Sequence, residues 1–286
     1  MSSTATATVT STEDRALELV GPAGNPPRGS LLPRVMRSEW TKLRSVRSTV
    51  WSLFATFGTT VGLGAVFSWA YVNQYNQQTL AERLSFDPVS RSLSGLFLAQ
   101  LAIGVLGVLV ISSEYGTGLI RTTFTAVPQR RTVLAAKVAV FGVVSLVVSM
   151  LSVFAAFLVG QAILSGKNVG ASLGGPSVLR AVVGAGVYLT FIALLGLGLA
   201  TIVRRTAGAI GALVGLVLVF PLLAQALPSP WNHDIAKYLP SEIGDALFSI
   251  QSSPNHVSPG VALVLVAVWL GTTYAIATLL ISRRDA

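Results

Sequence analysis

The sequence predicts an all-α polytopic membrane protein with six transmembrane helices. Three observations predict it. The composition is 52% hydrophobic and only 11% charged, with a mean hydropathy of +0.69. A soluble domain carries roughly 25% charged residues, because its surface must face water. Six apolar runs are also long enough to cross a bilayer, which takes roughly 20 residues each. Finally, the basic residues between those runs fall mostly on one side. The runs are apolar on all faces, so they do not read as the alternating strands of a membrane barrel.

Residues 1–30 are rich in Ser, Thr, Ala, Gly and Pro and hold no apolar block. They read as a disordered cytoplasmic N-terminus and lack the apolar core of a secretory signal. Residues 31–48 read as an amphipathic interfacial helix. At about 100° per residue, Leu32, Val35, Met36, Trp40, Leu43 and Val46 share one face, with Arg34, Arg37 and Arg44 opposite. A basic helix with a tryptophan suits the surface of an anionic leaflet. Glu39 is out of place within the apolar face, where an unpaired carboxylate is costly. Two outcomes are open: a local pair with Lys42 at i+3, or a bond to another cytoplasmic element.

The six-span domain occupies 49–286, with spans at about 49–72, 94–113, 133–164, 178–203, 206–227 and 260–281. The third run exceeds the bilayer, and its first turn, with Lys137, is expected to project toward the head groups, where the lysine can snorkel. Spans four and five are joined by a tight turn at Arg204, Arg205 and Thr206, which forces an antiparallel hairpin. Between spans two and three, Gly116 and Gly118 permit a sharp change of direction. Ile120, Phe124 and Val127 then share one face of a short helix that Pro128 helps to end. Such a helix can plug into a groove on a soluble partner, or serve as an interfacial turn. The connection at 228–259 reads as two short amphipathic pieces at one interface, divided by Pro240.

Orientation follows from the basic residues. With six spans both termini share a side. That side carries Arg15, Arg28, Arg34, Arg37, Lys42, Arg44, Arg47, Arg121, Arg130, Arg131, Lys137, Arg204, Arg205, Arg283 and Arg284. The other side has only Arg83, Arg91, Lys167, Arg180 and Lys237. The positive-inside rule puts both termini in the cytoplasm.

Several function classes are disfavoured. Without cysteine there are no disulfides, thiolate metal sites or cysteine nucleophiles. Past Lys137 and Arg180 the spans hold only mild polar groups, Gln100, Gln161 and Gln225. An ion-coupled carrier needs intramembrane carboxylates or histidines, so that reading is weakened. Ser165-Gly166-Lys167-Asn168 lacks the upstream glycine and the following Ser or Thr of a phosphate loop. His233 and His256 are too few and too separate for a metal site. Gly58/Gly62 and Gly211/Gly215 have helix-contact spacing, a weak signal among 27 glycines. The net charge of +9 is read as topology, with no nucleic-acid partner.

Three segments carry a resemblance. They are Ser38 to Thr49, Glu114-Tyr115-x-Thr117-Gly118-x-Ile120-Arg121 with Val127-Pro128-x-Arg130-Arg131, and Tyr238-Leu239-Pro240 with Gly244. Over nearly the whole chain after residue 30, the sequence resembles permease subunits of type-2 ABC exporters, particularly actinobacterial ones. The resemblance implies a pair of six-span subunits, each engaging a cytosolic ATP-binding subunit that holds the ATP and Mg. No cofactor is then expected in this chain. The helix between spans two and three becomes the coupling helix, with Glu114, Ile120, Arg121 and Phe124 as coupling candidates. Glu39, Trp40 and Lys42 become connector candidates in the interfacial helix. The pieces between spans five and six become short re-entrant helices that close the exit. The expected activity is ATP-driven export from the cell membrane by a chain that is not itself an enzyme. The competing reading is a non-transporting scaffold or sensor that recruits a cytosolic partner.

Overall fold

A computed structural model describes residues 31–228, 231–250 and 257–283; within 231–233 it gives the backbone alone. The expectations for residues 1–30 and for His256 lie outside the described residues, as does any expectation for the His233 side chain. Helix α1 covers Leu31–Ser45 and α2, the first span, Arg47–Gln74. Two short helices follow, α3 at Leu80–Leu84 and α4 at Pro88–Ser92. Then come α5 (Leu96–Thr117), the short α6 (Leu119–Ala126), α7 (Arg130–Leu164) and α8 (Val178–Val203). The fifth span is α9 (Thr206–Val214), a π-helical turn at Gly215–Val219, and α10 (Phe220–Gln225). Helices α11 (Trp231–Ala236) and α12 (Pro240–Phe248) precede α13 (Pro259–Arg283), the sixth span. Six helices are long and apolar enough to cross a membrane.

Local chemistry sets the element ends. Thr79 and Glu82 form a capping box at the start of α3, and the Asp87 carboxylate caps α4 by accepting from the Val89 and Ser90 amides. Gly118 takes φ +74°, a left-handed conformation that lets the chain turn from α5 into α6. Pro221 has no amide hydrogen to bond Val217. The helix widens just before it, and the Phe220 amide reaches back to the Gly215 carbonyl.

Helix α8 is the axis of the bundle, with 78% of its most apolar stretch buried; the first span is 17% buried by the same measure. Its broadest contact is with α5. There Gly107 faces the Ala193 carbonyl and Gly196 the Gly104 carbonyl so closely that no Cβ would fit. The first span is inside-out relative to a soluble helix. Thr49, Thr56, Thr60, Gly64, Ser68 and Tyr71 face the bundle, and Trp51, Phe54 and Trp69 face outward. Small residues allow close packing where lipid supplies no hydrophobic drive between helices. Among the described residues, Gly58, Gly62, Gly211 and Gly215 meet no neighbour within 4 Å, so the two glycine spacings mark no helix contact there.

Two of the three polar exceptions in the spans, Gln161 and Gln100, act as fasteners. Gln161 donates to the Pro88 carbonyl and the Ser92 hydroxyl and accepts from the Ala171 amide, tying α7 to α4. The Tyr188 hydroxyl donates to Gln100 between α8 and α5. Helix α12 packs on α8 and α13, with Gly244 against the Tyr188 ring. Arg180 donates to the Leu247 and Ser249 carbonyls at the end of α12.

Candidate functional site

At the basic end of the bundle, four charged side chains from three separate segments meet. Glu39 and Lys42 come from α1, Glu114 from the last turns of α5, and Lys137 from the third turn of α7. Lys137 Nζ donates to Glu39 Oε2 at 2.5 Å and to Glu114 Oε1 at 2.8 Å. Lys42 Nζ donates to Glu39 Oε1 at 2.7 Å and to Glu114 Oε1 at 3.1 Å. Two carboxylates and two ammonium groups therefore alternate in a closed, neutral ring.

Burial makes this ring consequential. The side chains of Lys137, Glu39 and Glu114 are 3%, 2% and 9% exposed, while Lys42 at 40% reaches water. A buried ion costs several kcal/mol to desolvate, and the geometry must return that by pairing. Burial pushes the Glu39 carboxyl up, but Lys137 and Lys42 outweigh it and hold the group below the usual carboxylate range. Burial pushes Lys42 down, and its bonds to Glu39 and Glu114 more than offset this, leaving it raised. The accounting is incomplete at one atom: Glu114 Oε2 is buried and has no partner among the described residues.

The snorkelling expectation for Lys137 is corrected here. Its ammonium turns inward because two carboxylates lie within bonding distance and can neutralise it. Both outcomes left open for Glu39 occur together, one on each carboxylate oxygen. The third connector candidate, Trp40, is half exposed and is not a member of the ring. The predicted apolar stripe of α1 is divided. Val35 is buried, while Leu32, Trp40 and Val46 remain on the outer surface.

The four coupling candidates are also divided. Glu114 is in the ring. Ile120 and Phe124 are buried with Val35, Val133, Ala136 and Ile281 in a second, smaller apolar core. Arg121 is exposed, beside Leu119, Thr122 and Thr125. The apolar stripe of α6 thus faces its own chain, and the open face of α6 is the mixed one opposite.

Arginines fasten the remaining spans to this end. Arg130 lies 5.3 Å from the Phe124 ring and donates to the Ile281 carbonyl. Arg131 donates to the Ser282 hydroxyl. Arg204 lies over Tyr115 at 5.5 Å and donates to the Leu280 carbonyl. Reasoning from the sequence missed these. Runs of basic residues carry a topology signal, and nothing in their spacing marks which of them also bridge spans. Among the described residues no cluster of metal-ligating side chains occurs.

A cavity of about 420 Å³ lies beside the ring, lined by Glu39, Lys42, Glu114, Lys137, Leu106 and Val110 among others. A second, of about 480 Å³, lies toward the opposite end, between α5, the fifth span and α12.

In comparison with known protein families, residues 35–222 match the family described as ABC-2 family transporter protein. The match runs from within α1 to the fifth span and includes all four members of the ring. A search of curated proteins finds no match.

Proposed function

Because the chain belongs to the ABC-2 transporter family, as a membrane-spanning permease subunit and not itself an enzyme, we propose that it exports its substrate using a separate cytosolic ATPase. In this reading the basic end faces the cytoplasm of a cell membrane and α6 docks on the ATPase. A second copy or a homologue completes the transport path. ATP and Mg belong to the ATPase. The helices α11 and α12 act as re-entrant closures on the far side.

The observation that carries this reading is the buried ring. It locks α1, the α5–α6 corner and α7 into one block, so a push on α6 displaces two spans and the surface helix together. A rigid block of this kind can transmit a conformational equilibrium, which a ligand shifts only through differential affinity for its states. The open face of α6 (Leu119, Arg121, Thr122 and Thr125) is the docking face. Ile120 and Phe124 hold that face to the bundle, and Glu114 joins it to α1 and α7.

The test is co-expression with a Walker-type ATPase and reconstitution in vesicles. The pair should copurify, and ATP should drive substrate accumulation. Glu114→Ala and Phe124→Ala should lower both partner binding and transport; unchanged coupling in both would remove the assignment. Isolation of the chain with a kinase, and never with an ATPase, would favour the scaffold reading.

A further inference from the structure

The cavity near the far end is lined mainly by apolar groups: Leu93, Leu96, Phe97, Val217, Leu218, Pro221, Leu222 and Phe248. At about 480 Å³ it is the size of a small-molecule site. Its polar lining is uneven. Glu242 and Asp245 enter from α12, Gln225 from α10, and the Gln100–Tyr188 pair from the bundle core, and among the described residues no lysine or arginine lines it. Among the described residues no side chain donates a hydrogen bond to the Asp245 carboxylate. Phe97 and Leu222 are largely exposed at its edge, so it opens sideways along the apolar surface.

We propose that this cavity binds a lipophilic cation, its apolar body against the fifth span and α5 and its charge on Asp245. The chemistry selects that class. An anion would meet two carboxylates in an apolar wall, and a neutral apolar molecule would leave Asp245 desolvated with nothing to pair. Approach along the apolar surface suits an amphiphile delivered from lipid. The transport role would give such a site its use and rests on the reading above; binding itself does not.

Surrounding charges bear on pH. Burial, and then Glu242 beside it, push the Asp245 carboxyl up to about 7. Helix α8 brings Tyr188 and also Arg180, whose guanidinium is engaged by the Leu247 and Ser249 carbonyls. The fifth span has no titratable residue. On α13, Tyr274 donates to the Leu194 carbonyl, and Arg283 lies at the basic end. On α4, Arg91 lines a separate polar cavity with Asp87 and Glu82. A permanent cation therefore meets, at Asp245, a carboxylate whose charge changes around neutral pH.

The experiment uses the full chain in lipid nanodiscs without any ATPase, and tetraphenylphosphonium as probe. Binding should be saturable and tighter at pH 8 than at pH 6. Asp245→Asn should weaken it about tenfold or more, as expected for loss of a charged contact, and flatten the pH dependence. Asp245→Glu should restore both, and binding of neutral triphenylmethane should persist in Asp245→Asn, showing an intact cavity. Wild-type affinity in Asp245→Asn, or equally tight binding of tetraphenylborate, would overturn the proposal. Either result would leave the transport reading standing, since no ATP-driven step is measured.

Discussion

Lys137 gives the sharpest residue-scale prediction. Lys137→Met leaves Glu39 and Glu114 sharing Lys42 alone, with a net buried negative charge. Breaking a buried pair in this way costs about 3–5 kcal/mol, so the melting temperature of the purified protein should fall markedly. Adding Glu39→Leu leaves Glu114 with Lys42, a neutral pair, and most of the loss should be recovered. In the proposed role the double variant is nonetheless uncoupled, because α1 is no longer bonded to α7. A stable double variant with normal ATP-driven transport would assign the ring to stability alone. The pH behaviour of the two carboxylates also differs in sign. Glu39 is depressed when folded, so its contribution is present above the ordinary carboxylate range and lost only in acid. Asp245, raised from 3.8 to about 7, binds its proton more tightly when folded. It favours the folded state below about pH 4, and that contribution is lost as pH rises toward 7. Asp245→Asn should therefore raise the melting temperature at pH 8 and leave it nearly unchanged at pH 4; the reverse order would show that burial does not govern this carboxyl.

At the scale of elements, α6 separates two roles that its sequence pattern merges. Ile120 and Phe124 are at helical spacing, and that spacing cannot say whether the face they form meets a partner or the parent chain. The answer lies in α1 and α7, whose Val35, Val133 and Ala136 provide the other half of the small core. Substitutions should divide accordingly. Phe124→Ala removes a buried ring and should cost about 3 kcal/mol, lowering the melting temperature and partner binding together. Arg121→Glu touches an exposed position and should leave the melting temperature unchanged while weakening ATPase binding; unchanged binding would move the docking face elsewhere. The spans themselves were legible because twenty apolar residues need no tertiary information. So was the α5–α6 corner, because Gly118 is the residue that a left-handed turn demands. The ring was half legible. Glu39 stood out as a carboxylate in an apolar stripe, but its partner Lys137 is 98 positions away. A lysine near a span end also has a second acceptable fate at the head groups. The cavity acids were not legible: Glu242 and Asp245 line a cavity only once the fifth span and α5 close against α12.

For the whole molecule, charge and packing point to the same end. The ring, the arginine fastenings and most of the described basic residues lie where α1, α6 and the last turn of α13 meet. A leaflet carrying anionic lipid attracts such a surface by about 1 kcal/mol per basic residue, and insertion favours leaving these segments untranslocated. Helices α3, α4 and α12 lie at the opposite end. Because the sequence has no cysteine, a single introduced thiol reports its own accessibility. Ser172 is exposed in the connection between α7 and α8, and Thr125 is exposed on the open face of α6. In intact cells a membrane-impermeant maleimide should label Ser172→Cys and spare Thr125→Cys. Permeabilised cells should label both. Co-expression of the cognate ATPase should then slow labelling at Thr125→Cys and leave Ser172→Cys unaffected, because only α6 is expected to dock. Labelling of Thr125→Cys in intact cells would invert the topology and with it the placement of the ATPase. Correct sidedness without protection would keep the orientation and dismiss α6 as the contact.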